Sequence, residues 1–126
     1  MAKCDEGYRC DVCGEDVTGI VDSDLYLRFV IGEADPEQLH VAAERHLRCN
    51  PVLSQFIDDD RFQAPRVDGP LGKDALDAEF VRQRTEYVTR GYRRLHEING
   101  WEGDRDVTEY PLPEAIEKYR NGDDAP

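Results

Sequence analysis

Two pairs of residues constrain this chain more than anything else in it. Cys10 and Cys13 are separated by two residues, 32 residues follow, and His46 and Cys49 repeat the same spacing. Four donors of thiolate and imidazole type are what a closed tetrahedral zinc site uses. A CxxC pair reaches one ion through a tight turn, and Gly14 relieves crowding directly after it. Asn50-Pro51 follows the second pair. Asn is a favoured N-cap and Pro suits the first helical position, so the pattern puts Cys49 at the mouth of a helix. The positive end of a helix favours a thiolate, the form that binds metal. The same residues admit two other readings. One is a redox CxxC, although no βαβ pattern surrounds it; the other is a group of unrelated buried cysteines and a core histidine. A chain of 126 residues is small for a self-sufficient core, so a metal staple would add to what burial alone provides. The expected cofactor is therefore one structural zinc ion held by Cys10, Cys13, His46 and Cys49. Cys4 and His40 are candidate substitutes. Cys4 reads more simply as a free thiol in a polar arm, and His40 as a loop or surface residue.

The remaining pattern divides the chain. Residues 1–7 and 121–126 read as flexible ends. Residues 17–33, VTGIVDSDLYLRFVIGE, predict a β-hairpin: Leu25, Leu27 and Phe29 alternate with Tyr26, Arg28 and Val30, Asp22-Ser23-Asp24 supplies the turn, and Gly32 ends the second strand. Residues 36–48 are ambiguous. Asp35-Pro36-Glu37-Gln38 has the form of a helix start, whereas the following QLHVA suits a short strand; the balance favours a loop with a short extended piece. A short helix is expected from 51 to 57 or 58, with Val52, Leu53, Phe56 and Ile57 as its apolar stripe. The strongest single element is a helix over 74–98, capped by Asp74. Leu76, Phe80, Tyr87, Val88, Gly91, Leu95 and Ile98 form its apolar face. Arg84 falls within that face and needs an acid partner or a path to the edge. Asn99-Gly100 stops this helix, Trp101 folds back on the core, and residues 112–120 form a last short helix.

A CxxC turn, a hairpin and two ligands at a helix start together resemble a treble-clef zinc finger. The resemblance covers residues 8–58. It implies that Cys10 and Cys13 are the knuckle ligands and that His46 and Cys49 are the helix-side ligands. The gap of 32 residues is long for this class, which implies an insertion near 32–44. The expected fold class is α+β: a small zinc-stapled module (8–58) and a helical extension (73–120), together one domain over 1–126. The treble clef carries many functions, so it implies structure more than activity.

Charge narrows the function. The chain carries 28 acidic and 16 basic residues, a net charge of −12. Such a balance repels a phosphate backbone. Arginines 82, 84, 90, 93 and 94 concentrate positive charge on the long helix, but they scatter around it and alternate with Glu86 and Glu97. No phosphate loop, dinucleotide fingerprint, nucleophile elbow or HExxH motif is present, and three histidines leave little for a second, catalytic metal. The Asp run at 58–60 reads as solvated, and His96 as a surface group favoured by the helix dipole. The expectation is a non-enzymatic protein-interaction or adaptor domain whose partner is another protein. The alternative is a nucleic-acid-associated regulatory zinc finger. No apolar run approaches a membrane span and no apolar signal region opens the sequence, so a cytoplasmic location is expected.

Overall fold

The computed structural model describes residues 8–17, 19–102 and 106–120. Its architecture is mixed but dominated by helix. Strand β1 (Tyr8–Arg9) pairs antiparallel with β2 (Asp16–Val17), Tyr8 opposite Val17 and Arg9 opposite Asp16. The helices are α1 (Asp24–Val30), α2 (Gln38–Val41), α3 (Pro51–Ser54), α4 (Ala78–Asn99) and α5 (Pro113–Arg120). Short 3-10 turns precede α1, α3, α4 and α5.

The predicted hairpin over 17–33 is instead the helix α1. Its start is local: the Ser23 hydroxyl accepts from the Tyr26 amide at 3.1 Å, a true N-cap inside what reads as a turn sequence. Arg28 closes an i,i+4 pair onto Asp24 at 2.9 Å. Leu25, Tyr26, Leu27, Phe29, Val30 and Ile31 are all buried. A helix enclosed on nearly every side carries apolar residues all round, so its periodicity imitates a buried strand. Gly32, with φ of 87°, ends this helix rather than a strand. Residues 36–48 contain the short helix α2 and then run extended, so both readings of that segment hold in part.

α4 is the longest element, and its start also differs from expectation. Asp77, not Asp74, accepts from the Phe80 amide at 3.0 Å, while Lys73–Ala75 forms a separate 3-10 turn. Leu76 therefore precedes the helix. The two halves of α4 lie in different surroundings. Val88, Thr89, Gly91, Tyr92, Leu95 and Ile98 are buried, but none of residues 78–87 is. Phe80, expected in the core, is 49% exposed.

The core lies between α1 and the second half of α4. Gly91 permits their approach, because a Cβ there would sit 2.4 Å from Ile31 Cγ2. The Tyr87 hydroxyl donates to the Ile31 carbonyl at 2.9 Å, the Leu112 amide to the Val30 carbonyl at 2.9 Å, and Lys118 Nζ to the Gly32 carbonyl at 2.8 Å. The last two bonds bring α5 over the end of α1, where Ala115 is buried. Trp101 folds back as expected, its ring 5.9 Å from Tyr110 and under the Arg94 guanidinium. α3 is shorter than predicted. Leu53, Phe56 and Ile57 are buried as its stripe required, whereas Val52 faces outward.

Candidate metal centre

Each half of the centre is built by short-range backbone bonds. After β1 the Cys10 amide donates to the Glu15 carbonyl at 2.9 Å, and the Gly14 amide returns to the Cys10 carbonyl at 3.0 Å. That turn needs φ of 81° at Gly14, which a glycine adopts at little cost. Cys13 is carried inside the turn, beside Cys10. The second half comes from residues 44–49. The Asp11 amide donates to the Glu44 carbonyl at 3.0 Å, and the Asp24 amide to the Arg45 carbonyl at 2.8 Å. His46 pairs with Ser23 in an isolated antiparallel bridge. The chain then enters a 3-10 turn, Leu47–Cys49, with the Cys49 amide on the His46 carbonyl at 3.0 Å. In 3-10 geometry positions i and i+3 eclipse, so His46 and Cys49 project on the same side. Leu47, fully buried between them, anchors the turn in the core.

One ligand atom from each of Cys10, Cys13, His46 and Cys49 lies within 4.8 Å of all the others, close enough to coordinate a metal ion. The three cysteines are free thiols, with no disulfide among them. Cys13 Sγ is 3.4 Å and Cys49 Sγ 3.8 Å from His46 Nδ1. The edges of a tetrahedral zinc site, from Zn–S of about 2.3 Å and Zn–N of about 2.05 Å, are about 3.6 Å for S···N and about 3.8 Å for S···S. His46 is 2% exposed. Its Nε2 lies 2.8 Å from the Asp16 carbonyl. A carbonyl only accepts, so Nε2 carries the proton and the Nδ1 lone pair faces the sulfurs.

The thiols influence one another. Burial raises the Cys10 pKa, but N–H groups of Cys13, His46 and Val12, with help from the Cys49 thiol, outweigh it and lower the value from 9.0 to about 6. The Val12 and His46 amides reach Cys10 Sγ at 3.4 and 3.5 Å. Cys49 is pushed the other way, to about 12, by burial, by hydrogen bonding with Cys10 and Cys13, and by their charge. Three sulfurs this close resist ionising together, and a cation placed between them removes that penalty.

A buried polar layer supports the site. Ser23 Oγ donates to Glu44 Oε1 at 2.8 Å, and the Asp24 carboxylate accepts from Arg28 Nε at 2.9 Å and Asn50 Nδ2 at 2.8 Å. Burial raises the Glu44 carboxyl above its ordinary range. Asn50 makes no cap bond at α3 and instead ties the end of the ligand turn to α1. Sequence reasoning missed Ser23, Asp24 and Glu44 in this role. The available signal was Asp22-Ser23-Asp24 read as a helix cap instead of a hairpin turn.

The other candidates take different places. Cys4 lies outside the described residues, and so does the side chain of His40. Asp59 is not solvated: its nearly buried carboxylate accepts from Arg61 Nε at 2.8 Å and Arg93 Nε at 3.1 Å, which holds its pKa well below the usual carboxylate range. His96 is no surface cation. Its half-buried ring packs 4.8 Å from Tyr92, its Nε2 is buried without a hydrogen-bond partner, and burial lowers its pKa. Arg84 meets Glu33 in a two-pronged pair with one contact at 2.9 Å. Among the described residues no helix is long and apolar enough to cross a membrane. No protein-family model, curated protein or solved structure matches this chain.

Proposed function

We propose that this chain is a small zinc-stapled domain, non-enzymatic, that docks on another protein. The clustering of Cys10, Cys13, His46 and Cys49 carries the metal part of the reading. Three soft sulfur donors and one imidazole suit zinc better than the hard, oxygen-seeking divalent ions. Four protein ligands close the coordination sphere, which leaves no position for a reacting water and makes the ion a structural one. The treble-clef resemblance enters here in a reduced form. The β1–β2 turn carrying Cys10 and Cys13 takes the place of the knuckle, and α1 occupies the interval where the class has a hairpin. Native mass spectrometry of the full chain, beside elemental analysis, tests the reading. About one zinc per chain is expected, and a metal-free, fully folded chain overturns it.

The docking part rests on surface chemistry. Val52, Leu71 and Phe80 are exposed apolar side chains gathered around Gln55 and Phe56: Gln55 Nε2 donates to the Val52 and Leu71 carbonyls, and the Phe80 ring stands edge-on to Phe56 at 6.3 Å. Clustered exposed apolar residues mark protein contacts more often than scattered ones do. Nucleic acid is the weaker partner. The five arginines of α4 are engaged with acids or carbonyls: Arg82 with Glu79, Arg84 with Glu33, Arg90 with Glu114, Arg93 with Asp59, and Arg94 with Glu97 and the Tyr110 carbonyl. Guanidiniums already neutralised in pairs contribute little to phosphate binding.

A further inference from the structure

The four ligands of the metal centre do not share one environment. Cys10 and His46 are each 2% exposed, Cys49 is half-buried, and Cys13 is exposed at the surface. The sulfurs also differ in what holds them. Cys10 Sγ receives the Val12 and His46 amides, and N–H donation draws electron density from a thiolate. Among the described residues no backbone N–H donates to Cys13 Sγ, which meets His46 Nδ1 at 3.4 Å and the Cys49 thiol. Cys49 Sγ likewise meets His46 Nδ1 and, among those residues, no backbone N–H, so exposure separates the two: Cys13 is the ligand that a small solvent-borne electrophile reaches first. A second sulfur, Cys10, stands within 4.8 Å and belongs to the same turn, so little chain closure separates the two.

We propose that Cys13 is an oxidisable ligand, and that hydrogen peroxide converts the centre to a Cys10–Cys13 disulfide with release of the metal. This rests on the zinc reading above. In the first step the Cys13 thiolate attacks one peroxide oxygen. The S–O bond forms, the O–O bond breaks, and hydroxide leaves to be protonated by solvent. In the second step the Cys10 thiolate attacks Cys13 sulfur. The S–S bond forms, the S–O bond breaks, and a second hydroxide departs and is protonated. Two thiolates are oxidised by two electrons, one hydrogen peroxide is reduced to two waters, and two protons are consumed. The zinc ion keeps its charge, loses two of its four ligands and dissociates. Its loss weakens the link between residues 8–17 and 44–50, because Cys10 and Cys13 lie on the first segment and His46 and Cys49 on the second. The Asp11–Glu44 backbone bond and the Asp11–Arg45 pair are left to hold them.

The experiment uses the full chain carrying Cys4→Ser, which removes the one thiol outside the cluster. Zinc content is measured first. The protein is then titrated with hydrogen peroxide while a chromogenic chelator reads free zinc. A sulfenic-acid trap and peptide mapping locate each modification, and hydrogen exchange follows residues 8–17 and 44–50. The expected result is a trapped sulfenic acid on Cys13 before any other cysteine, about one zinc released per Cys10–Cys13 disulfide, faster exchange in both segments, and reversal by reductant with zinc. Oxidation of Cys10 or Cys49 first, a disulfide that joins Cys13 to Cys49, or zinc retained after the peroxide has reacted overturns the inference. A chain that contains no zinc before peroxide is added fails at the earlier measurement, which overturns the zinc reading instead.

Discussion

Phe80 and Leu95 lie on the same helix and the same nominal face, yet different physics governs them. Phe80 is about half exposed and touches Phe56 by a ring edge, while Leu95 is fully buried. Urea denaturation should show Phe80→Ala costing about 1 kcal/mol or less. Leu95→Ala should cost about 2–5 kcal/mol, because it leaves a cavity that cannot fully collapse. A large loss at Phe80 would mean that the first half of α4 is covered. Gly91 is the reverse case. A methyl group there meets Ile31 Cγ2 at 2.4 Å, inside any real contact distance. Gly91→Ala should therefore cost about 1–3 kcal/mol despite improving helix propensity, as α1 and α4 are forced apart.

At the scale of elements, the Asp59 carboxylate, paired with Arg61 inside loop 58–62 and with Arg93 on α4, gives a pH dependence. Arg61, through its side chain and backbone, and Arg93 depress the Asp59 pKa in the folded state. A depressed acid stabilises the fold fully above its unfolded value of about 3.9, and that stabilisation is lost as pH falls through the lower folded value. Asp59→Asn should thus lower Tm at neutral pH, and the two proteins should converge in strongly acidic solution. A Tm difference that stays constant with pH would assign the effect to shape rather than charge. The ligand turn offers a second element-scale argument. Leu47 is buried under the centre while His46 and Cys49 flank it. Leu47→Ala should therefore loosen metal binding as well as the fold, seen as faster zinc transfer to a competing chelator.

At the scale of the whole molecule, residues 8–17 meet residues 44–50 at the Cys10, Cys13, His46, Cys49 cluster, through backbone bonds, and through the Asp11–Arg45 pair and the His46 ring on the Asp16 carbonyl. Metal binding in small structural sites contributes about 10–16 kcal/mol, as much as the entire stability of an ordinary domain at about 5–15 kcal/mol. Chelation should therefore produce cooperative unfolding that includes at least residues 8–50, followed by circular dichroism. A chelated chain with an unchanged melting curve would assign the fold to its α1–α4 core alone. Net charge acts at the same scale. With −12 overall and the α4 arginines already paired, binding to mixed duplex or single-stranded probes should be absent at about 150 mM salt in an anisotropy titration. Micromolar affinity there would restore the nucleic-acid alternative.

What the sequence by itself determined was set by short-range chemistry. The two-residue spacing in each ligand pair is a turn-scale constraint, and it holds whether the segment before it is helix or strand. The long helix and Pro113–Arg120 were legible because their periodic faces and stop signals are local. Tertiary structure decided the rest. Residues 24–30 are apolar on nearly every side because neighbouring segments enclose them, and no period in the sequence records an enclosure made by distant residues. Phe80 and Leu95 share a helical face in sequence, but only the placement of α1 determines how far along α4 burial extends. His46 reads as a ligand from its spacing, yet the nitrogen it turns toward the sulfurs depends on the Asp16 carbonyl, a backbone group that no side-chain pattern reveals.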